Sequence, residues 1–111
     1  ALVRLQAEDG LWHTVLDDPS SYTETSGSAG IAAALLSRGA IYNKAVNRAT
    51  EGILARIAPD GSVRGVSAGT AVMFDAEGYK GVTCKRVQGW GQGLALVFLA
   101  DLLRSKSRVF A

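Results

Sequence analysis

The chain has 111 residues, 48% of them apolar and 20% charged, a formal net charge of +2 and a single cysteine, Cys84. Those totals describe one globular domain at most and exclude an internal disulfide or a cysteine-based zinc cluster. Lys and Arg are scattered rather than gathered into the basic stripe of a nucleic-acid surface, and no apolar run reaches the roughly 18 residues that span a bilayer, so neither nucleic acid nor a membrane is expected as a partner.

The chain opens on Ala1 with no Met, and residues 1–7 read as the tail of a helix closed by Gly10, which can take the positive φ of a helix end. That start suggests a piece of a larger protein. Residues 11–16 are too few for a helix, and Thr14 and Val15 favour an extended segment. Asp17-Asp18-Pro19-Ser20 ends it as a turn. A helix is predicted over 24–38. Ile31, Ala32, Ala33, Ala34, Leu35 and Leu36 make it apolar nearly all round, the mark of a buried helix, and Gly39 stops it.

A second helix is predicted over 41–57. Tyr42, Ala45, Val46, Ala49, Ile53, Leu54 and Ile57 fall on one face at spacings of three and four. Asn43, Lys44, Asn47, Arg48 and Glu51 are expected in water. The short Gly39-Ala40 link requires the two helices to run antiparallel. Pro59-Asp60-Gly61 is a turn. Residues 62–86 show no sustained period, and glycines punctuate them. Their apolar content argues for an ordered loop. A last helix is predicted over 91–104, apolar at Leu94, Ala95, Val97, Phe98, Leu99, Leu102 and Leu103, and the basic run from Arg104 to Arg108 is a solvated helix end. The fold class is all-α: helix pairs whose loops gather at one end.

Chemistry-bearing residues concentrate in the loops. Asp17 and Asp18 are adjacent, so in an extended segment they point apart and cannot flank one glycosidic bond; they read as turn formers. Glu24 stands where a helix N-terminus stabilises a carboxylate, as a cap or as a ligand group. His13 has no second His or Cys with which to hold a metal. Trp12 and Trp90 flank helices from loops, and flat aromatic faces suit sugars. Tyr79-Lys80 and Lys85-Arg86 could meet an acidic sugar, Arg bidentately, or be solvated loop charges. Gly89-Trp90-Gly91-Gln92-Gly93 lacks the Lys-Ser/Thr end of a phosphate loop, so no nucleotide site is assigned.

Two ordered groups of residues carry a family resemblance. Gly10-Leu11-Trp12 followed by Tyr22-x-Glu24-x-Ser26, and then Val66-Ser67-x-Gly69-Thr70, Tyr79-Lys80 and Gly91-Gln92, resemble the unsaturated rhamnogalacturonyl hydrolases, glycoside hydrolase family 105, and their relatives in family 88. The resemblance spans most of the chain but only about the last third of such an enzyme. It implies that residues 1–111 are the C-terminal part of a single (α/α)6 toroid. It also implies hydration of the C4=C5 double bond of an unsaturated uronic acid on pectin-derived oligosaccharides, with an Asp donating the proton and activating water.

No metal or organic cofactor is implied. The catalytic Asp would lie upstream of this segment; Asp75 matches no such motif. The residues here would line the pocket: Trp12, His13, Glu24, Thr70, Tyr79, Lys80 and Trp90. The partners implied are an acidic oligosaccharide and the rest of the same polypeptide. Ala71-Val72-Met73 and Cys84-Lys85-Arg86 depart from the family pattern, and the compartment stays open. Two other readings compete: a non-catalytic helical scaffold with merely packed aromatics, and another (α/α)-barrel protein acting on glycans, such as a lyase.

Overall fold

The computed structural model describes the backbone of residues 1–110 and the side chains of 1–106. The order of elements is a 3-10 helix Leu2–Leu5, then α1 (Thr25–Ser37), a 3-10 helix Ala40–Tyr42, α2 (Asn43–Ala55), α3 (Ala76–Lys80) and α4 (Gly89–Phe110). The architecture is all-α; among the described residues the only β pairings are isolated bridges, His13 with Thr23 and Ile57 with Val63.

The opening segment is a single 3-10 turn rather than the predicted end of an α-helix. It is held sideways by α2. Gln6 donates from Nε2 to the carbonyls of Gly10 (2.8 Å) and Ala45 (2.9 Å). Arg48 donates to Gln6 Oε1 (3.2 Å) and to the Ala7 carbonyl (2.8 Å). Arg48 is therefore a clamp between α2 and this segment, not the solvated residue its place on the polar face predicted. Gly10 has φ 88°, and a Cβ there would sit 2.1 Å from the Arg48 carbonyl oxygen. Only glycine meets both demands.

Residues 11–24 fold back on themselves. Thr14 N–H donates to the Tyr22 carbonyl and Glu24 N–H to the Trp12 carbonyl, each at 2.9 Å. The turn between them is tied by Asp18 and Ser21. The predicted extended run is present, but it pairs with its own return arm and makes no strand.

Helix α1 begins under the Glu24 cap and ends where Gly39 adopts φ 107°. It buries Ala29, Ala32 and Leu35 but leaves Ala34 exposed. The all-round burial expected from its composition is incomplete, because α4 and α2 cover only two of its sides among the described residues. Arg56, beside the end of α2, reaches Thr25 at the start of α1, so α1 and α2 are antiparallel as the short link required. Ala45, Val46, Ala49 and Ile53 form the buried face of α2. Leu54, expected there, is exposed. Gly52 lies on the buried side, where the backbone of Asp9 and the side chain of Leu11 press against it.

Helix α4 starts two residues earlier than predicted and packs along α1 through Ala95, Phe98 and Leu102. The two run parallel: Val66 and Ser67 join their beginnings, while Ala33 to Ser37 and Asp101 to Ser105 share a cavity near their ends. Leu94, Val97 and Leu103, named among the apolar residues of this helix, are exposed together with Leu96. One stripe of α4 meets α1, and the loop at 57–63 reaches a neighbouring side through Gln92.

Two parallel neighbours with an antiparallel helix beside them form the repeating step of a ring of helical hairpins. The loops at 10–24 and 56–88 collect at the end where α1 and α4 begin. The second is ordered and mostly non-helical, as expected. It also holds α3, capped by Asp75 (Oδ1 accepts from Gly78 N–H at 3.0 Å), a helix too short to show a period.

Candidate functional site

The loops meet at Glu24, whose residue surface is only 7% exposed. Its Oε2 accepts from Gly27 N–H (2.6 Å), capping α1, and its Oε1 accepts from Ser26 Oγ (2.7 Å), Ser67 N–H (2.9 Å) and Ser67 Oγ (3.4 Å). A buried carboxylate is tolerable only with such donors, and the α1 N-terminus adds a favourable field. The Ser67 carbonyl in turn accepts from Trp90 Nε1 at 3.2 Å. Trp90 keeps 48% of its surface exposed. Next to Ser67, Val66 is fully buried against Gly91, where a Cβ would lie 2.5 Å from Val66 Cγ2. The loop thus touches the starts of α1 and α4 at once.

A second junction lies beside it. Arg56 donates from Nη2 to Thr23 Oγ1 (2.7 Å) and pairs with Asp9 (3.3 Å), while Thr25 Oγ1 donates to the Arg64 carbonyl (2.6 Å) and Thr25 N–H to the Gly65 carbonyl (2.9 Å). Burial raises the Asp9 pKa, but the Thr23 hydroxyl, the Leu11 amide and the Arg56 charge outweigh it and hold the carboxyl below its ordinary value. Gly65, with φ 73°, leaves room for the Arg56 guanidinium.

The remaining predicted site residues are spread out. Trp12 is 1% exposed and donates from Nε1 to the Leu2 carbonyl at 2.8 Å. Its ring is closed to solvent, so the expectation of a sugar platform is corrected: it is a core residue, buried because the return arm and α1 fold over it. His13 Nδ1 lies 2.6 Å from the Ser21 carbonyl. A carbonyl only accepts, so Nδ1 carries the proton. His13 lines a separate open groove of about 590 Å3 with Arg4, Glu8, Asp9 and Asp17.

Lys80 bridges Asp18 (2.7 Å) and Glu77 (2.9 Å) and donates to Ser20 Oγ (2.7 Å). It ties the α3 loop to the turn before α1. Hydrogen bonds from Lys80 and Ser20 lower the Asp18 pKa to about 2, and Asp18 and Glu77 raise that of Lys80. Tyr79 Oη accepts from Met73 N–H at 3.1 Å, and Thr70 is exposed with its hydroxyl on the Ala68 carbonyl. Of the predicted set, the structure links Glu24 and Trp90 through Ser67. Ser67 was visible in the Val66-Ser67-x-Gly69-Thr70 motif but not singled out; Asp9 and Arg56 had no local signal.

The sequence profile of Glycosyl Hydrolase Family 88 matches residues 1–106. The chain belongs to that family. This family 88 chain is 63% identical over 110 residues to the unsaturated rhamnogalacturonyl hydrolase YesR of Bacillus subtilis (strain 168), a match covering 99% of the chain and 32% of that protein. The chain thus spans about a third of the length of the curated relative it matches. Two crystal structures, each described as a possible member of the GH105 family, superpose with a TM-score of 0.89 at 35% identity, covering 95% of the family 88 chain and 29% of theirs. They come from Salmonella enterica subsp. enterica serovar Paratyphi A and Klebsiella pneumoniae subsp. pneumoniae. The resemblance read from the motifs is borne out. No helix among the described residues is long and apolar enough to cross a membrane.

Proposed function

We propose that this chain is the C-terminal part of a single (α/α)6 catalytic domain that hydrolyses unsaturated uronyl oligosaccharides of rhamnogalacturonan type. The observation that carries the reading is the 63% identity, along nearly the whole chain, to a hydrolase of that name. The parallel α1 and α4, with loops gathered where both begin, suit one segment of the ring. Its exposed apolar residues on either side of the buried α4 stripe, Leu94 and Val97 on one flank and Leu96 and Leu103 on the other, are then surfaces on which the rest of the polypeptide packs.

The chemistry proposed needs one acid, an Asp outside these residues. The C4=C5 bond of the unsaturated sugar is a vinyl ether. The carboxylic acid delivers its proton to C4, cation character develops at C5 beside the ring oxygen, and water adds there, losing its proton to the carboxylate. The hemiketal so formed opens, and the exposed hemiacetal at C1 releases the aglycone without further catalysis. No second carboxylate is required to form a glycosyl intermediate, unlike in the usual pair mechanism.

In this reading the chain contributes a wall of the substrate pocket. Trp90 offers its ring, and Glu24 and Ser67 underpin it. Thr70, Tyr79 and Lys80 belong to the loop that shapes the rim, and His13 lines the neighbouring groove. The test is the intact protein with a lyase-made rhamnogalacturonan disaccharide. Loss of the double bond's ultraviolet absorbance supports the reading. Steady absorbance, with release of sugar from a saturated aryl glycoside, contradicts it.

A further inference from the structure

We infer that Glu24 is a positioning residue that sets the orientation of the Trp90 ring through Ser67. The inference rests on the proposed placement of Trp90 in the substrate pocket. Capping α1 needs only one carboxylate oxygen, and Oε2 does that on Gly27 N–H. The preferred caps are Ser, Thr, Asp and Asn, which do so with a shorter arm. Glu24 has a longer one, and its second oxygen, besides accepting from the Ser26 hydroxyl in the first turn at 2.7 Å, reaches out of the helix to the Ser67 N–H at 2.9 Å and, more loosely, its hydroxyl at 3.4 Å.

Ser67 is then fixed from three sides. Its N–H is on Glu24, its neighbour Val66 is buried against Gly91, and its carbonyl receives the Trp90 indole N–H at 3.2 Å. An indole has one donor. With that donor on Ser67, the ring is tethered to the loop while about half of the residue's surface, 48%, stays open to solvent. Cη2 of the same ring comes near Gly69, where a Cβ would lie 3.9 Å from it. A buried carboxylate thereby holds a half-exposed aromatic ring that it does not touch.

The test separates capping from positioning in the full-length enzyme. Glu24→Asp keeps a preferred cap but withdraws the second oxygen from Ser67. The expected result is a KM raised about fivefold, as for one lost hydrogen bond, with kcat little changed and a melting temperature lowered by the carboxylate partners lost. The 19F resonance of fluorotryptophan-labelled Trp90, assigned with Trp90→Phe, should shift and sharpen. In a Trp90→Phe background, which keeps a ring but no N–H, Glu24→Asp should add nothing further to KM.

Unchanged KM and an unmoved Trp90 resonance in Glu24→Asp would overturn the relay, as would an additive effect in the double variant. If Glu24→Asp does not fold, Glu24→Gln decides, since a single amide oxygen cannot accept from both Gly27 and Ser67: a raised KM with a shifted Trp90 resonance supports the relay, and no change in either overturns it. Trp90→Ala tests the underlying placement. If removing the ring leaves KM unchanged, Trp90 is not in the pocket. If it raises KM while Glu24→Asp does not, the placement stands and the relay fails.

Discussion

Trp12→Ala in the full-length enzyme should behave as a core deletion. The ring is 1% exposed, and it sits in the cluster formed by Leu11, Ala29, Val46 and Phe98. Truncating a buried Trp to Ala costs about 3–5 kcal/mol through lost burial and the cavity left behind. The lost hydrogen bond to the Leu2 carbonyl adds little, because Leu2 is only half-buried and water can take the indole's place. The backbone pairings of Trp12, N–H to Ser28 Oγ and carbonyl from Glu24 N–H, survive the substitution. Trp12→Phe keeps a ring but leaves part of the indole's buried volume unfilled, so it should cost less than the alanine, about 1–2 kcal/mol. Urea unfolding of the two variants, with KM measured on each, gives the ordering. An unfolding midpoint that does not move in Trp12→Ala, together with a raised KM, would refute the core assignment and restore a sugar platform.

Gly10→Ala should destabilise by at least about 2 kcal/mol, since the new methyl meets strained φ and the Arg48 carbonyl of α2 together; a denaturation midpoint equal to the parent's would contradict that packing. Lys80→Ala should return the Asp18 pKa from about 2 toward 3.8, read by NMR titration of the carboxyl. Because the folded pKa is depressed, the tie between the α3 loop and the turn at Asp18 is complete above the ordinary carboxylate range and is lost as pH falls through about 2. Amide protection factors over 76–82 should therefore fall as pH drops through about 2 in the parent and be low throughout in Lys80→Ala; identical protection in both would show that the pair does not hold the loop.

The three long helices were legible because each has either a strong period or a hard stop. Gly39 ends α1 with a positive φ, and the spacing from Ala45 to Ile53 marks the inner face of α2. Helix α3 was not legible, since five residues are too few for a period. The position of Glu24 at a helix start could be read; its second set of partners could not, because Ser67 is remote in sequence and only the folded loop brings it near.

Trp12 misled for a related reason. A short apolar run beside a turn does not say which of its side chains faces inward, and the answer came from the return arm that folds over it. Arg48 lay on the polar face of an amphipathic helix, and its pairing with Gln6 and Ala7 depends on where the chain's first residues pass. The exposed apolar residues flanking the buried stripe of α4 are left uncovered here, as in one segment of a ring. The scaffold alternative rested on aromatics that are merely packed. Trp12 fits that description and Trp90, half-exposed beside Glu24 and Ser67, does not.

The most direct measurement is hydrogen–deuterium exchange on the full-length enzyme with and without a saturated galacturonyl-rhamnose disaccharide, which lacks the double bond and so cannot be hydrated. Slower exchange on binding should fall, within this chain, on residues around 65–80 and 88–92, at the end where α1 and α4 begin. Protection at 38–43, at the opposite end of the helices, or no protection anywhere in the chain at saturating ligand, would contradict the placement of the pocket.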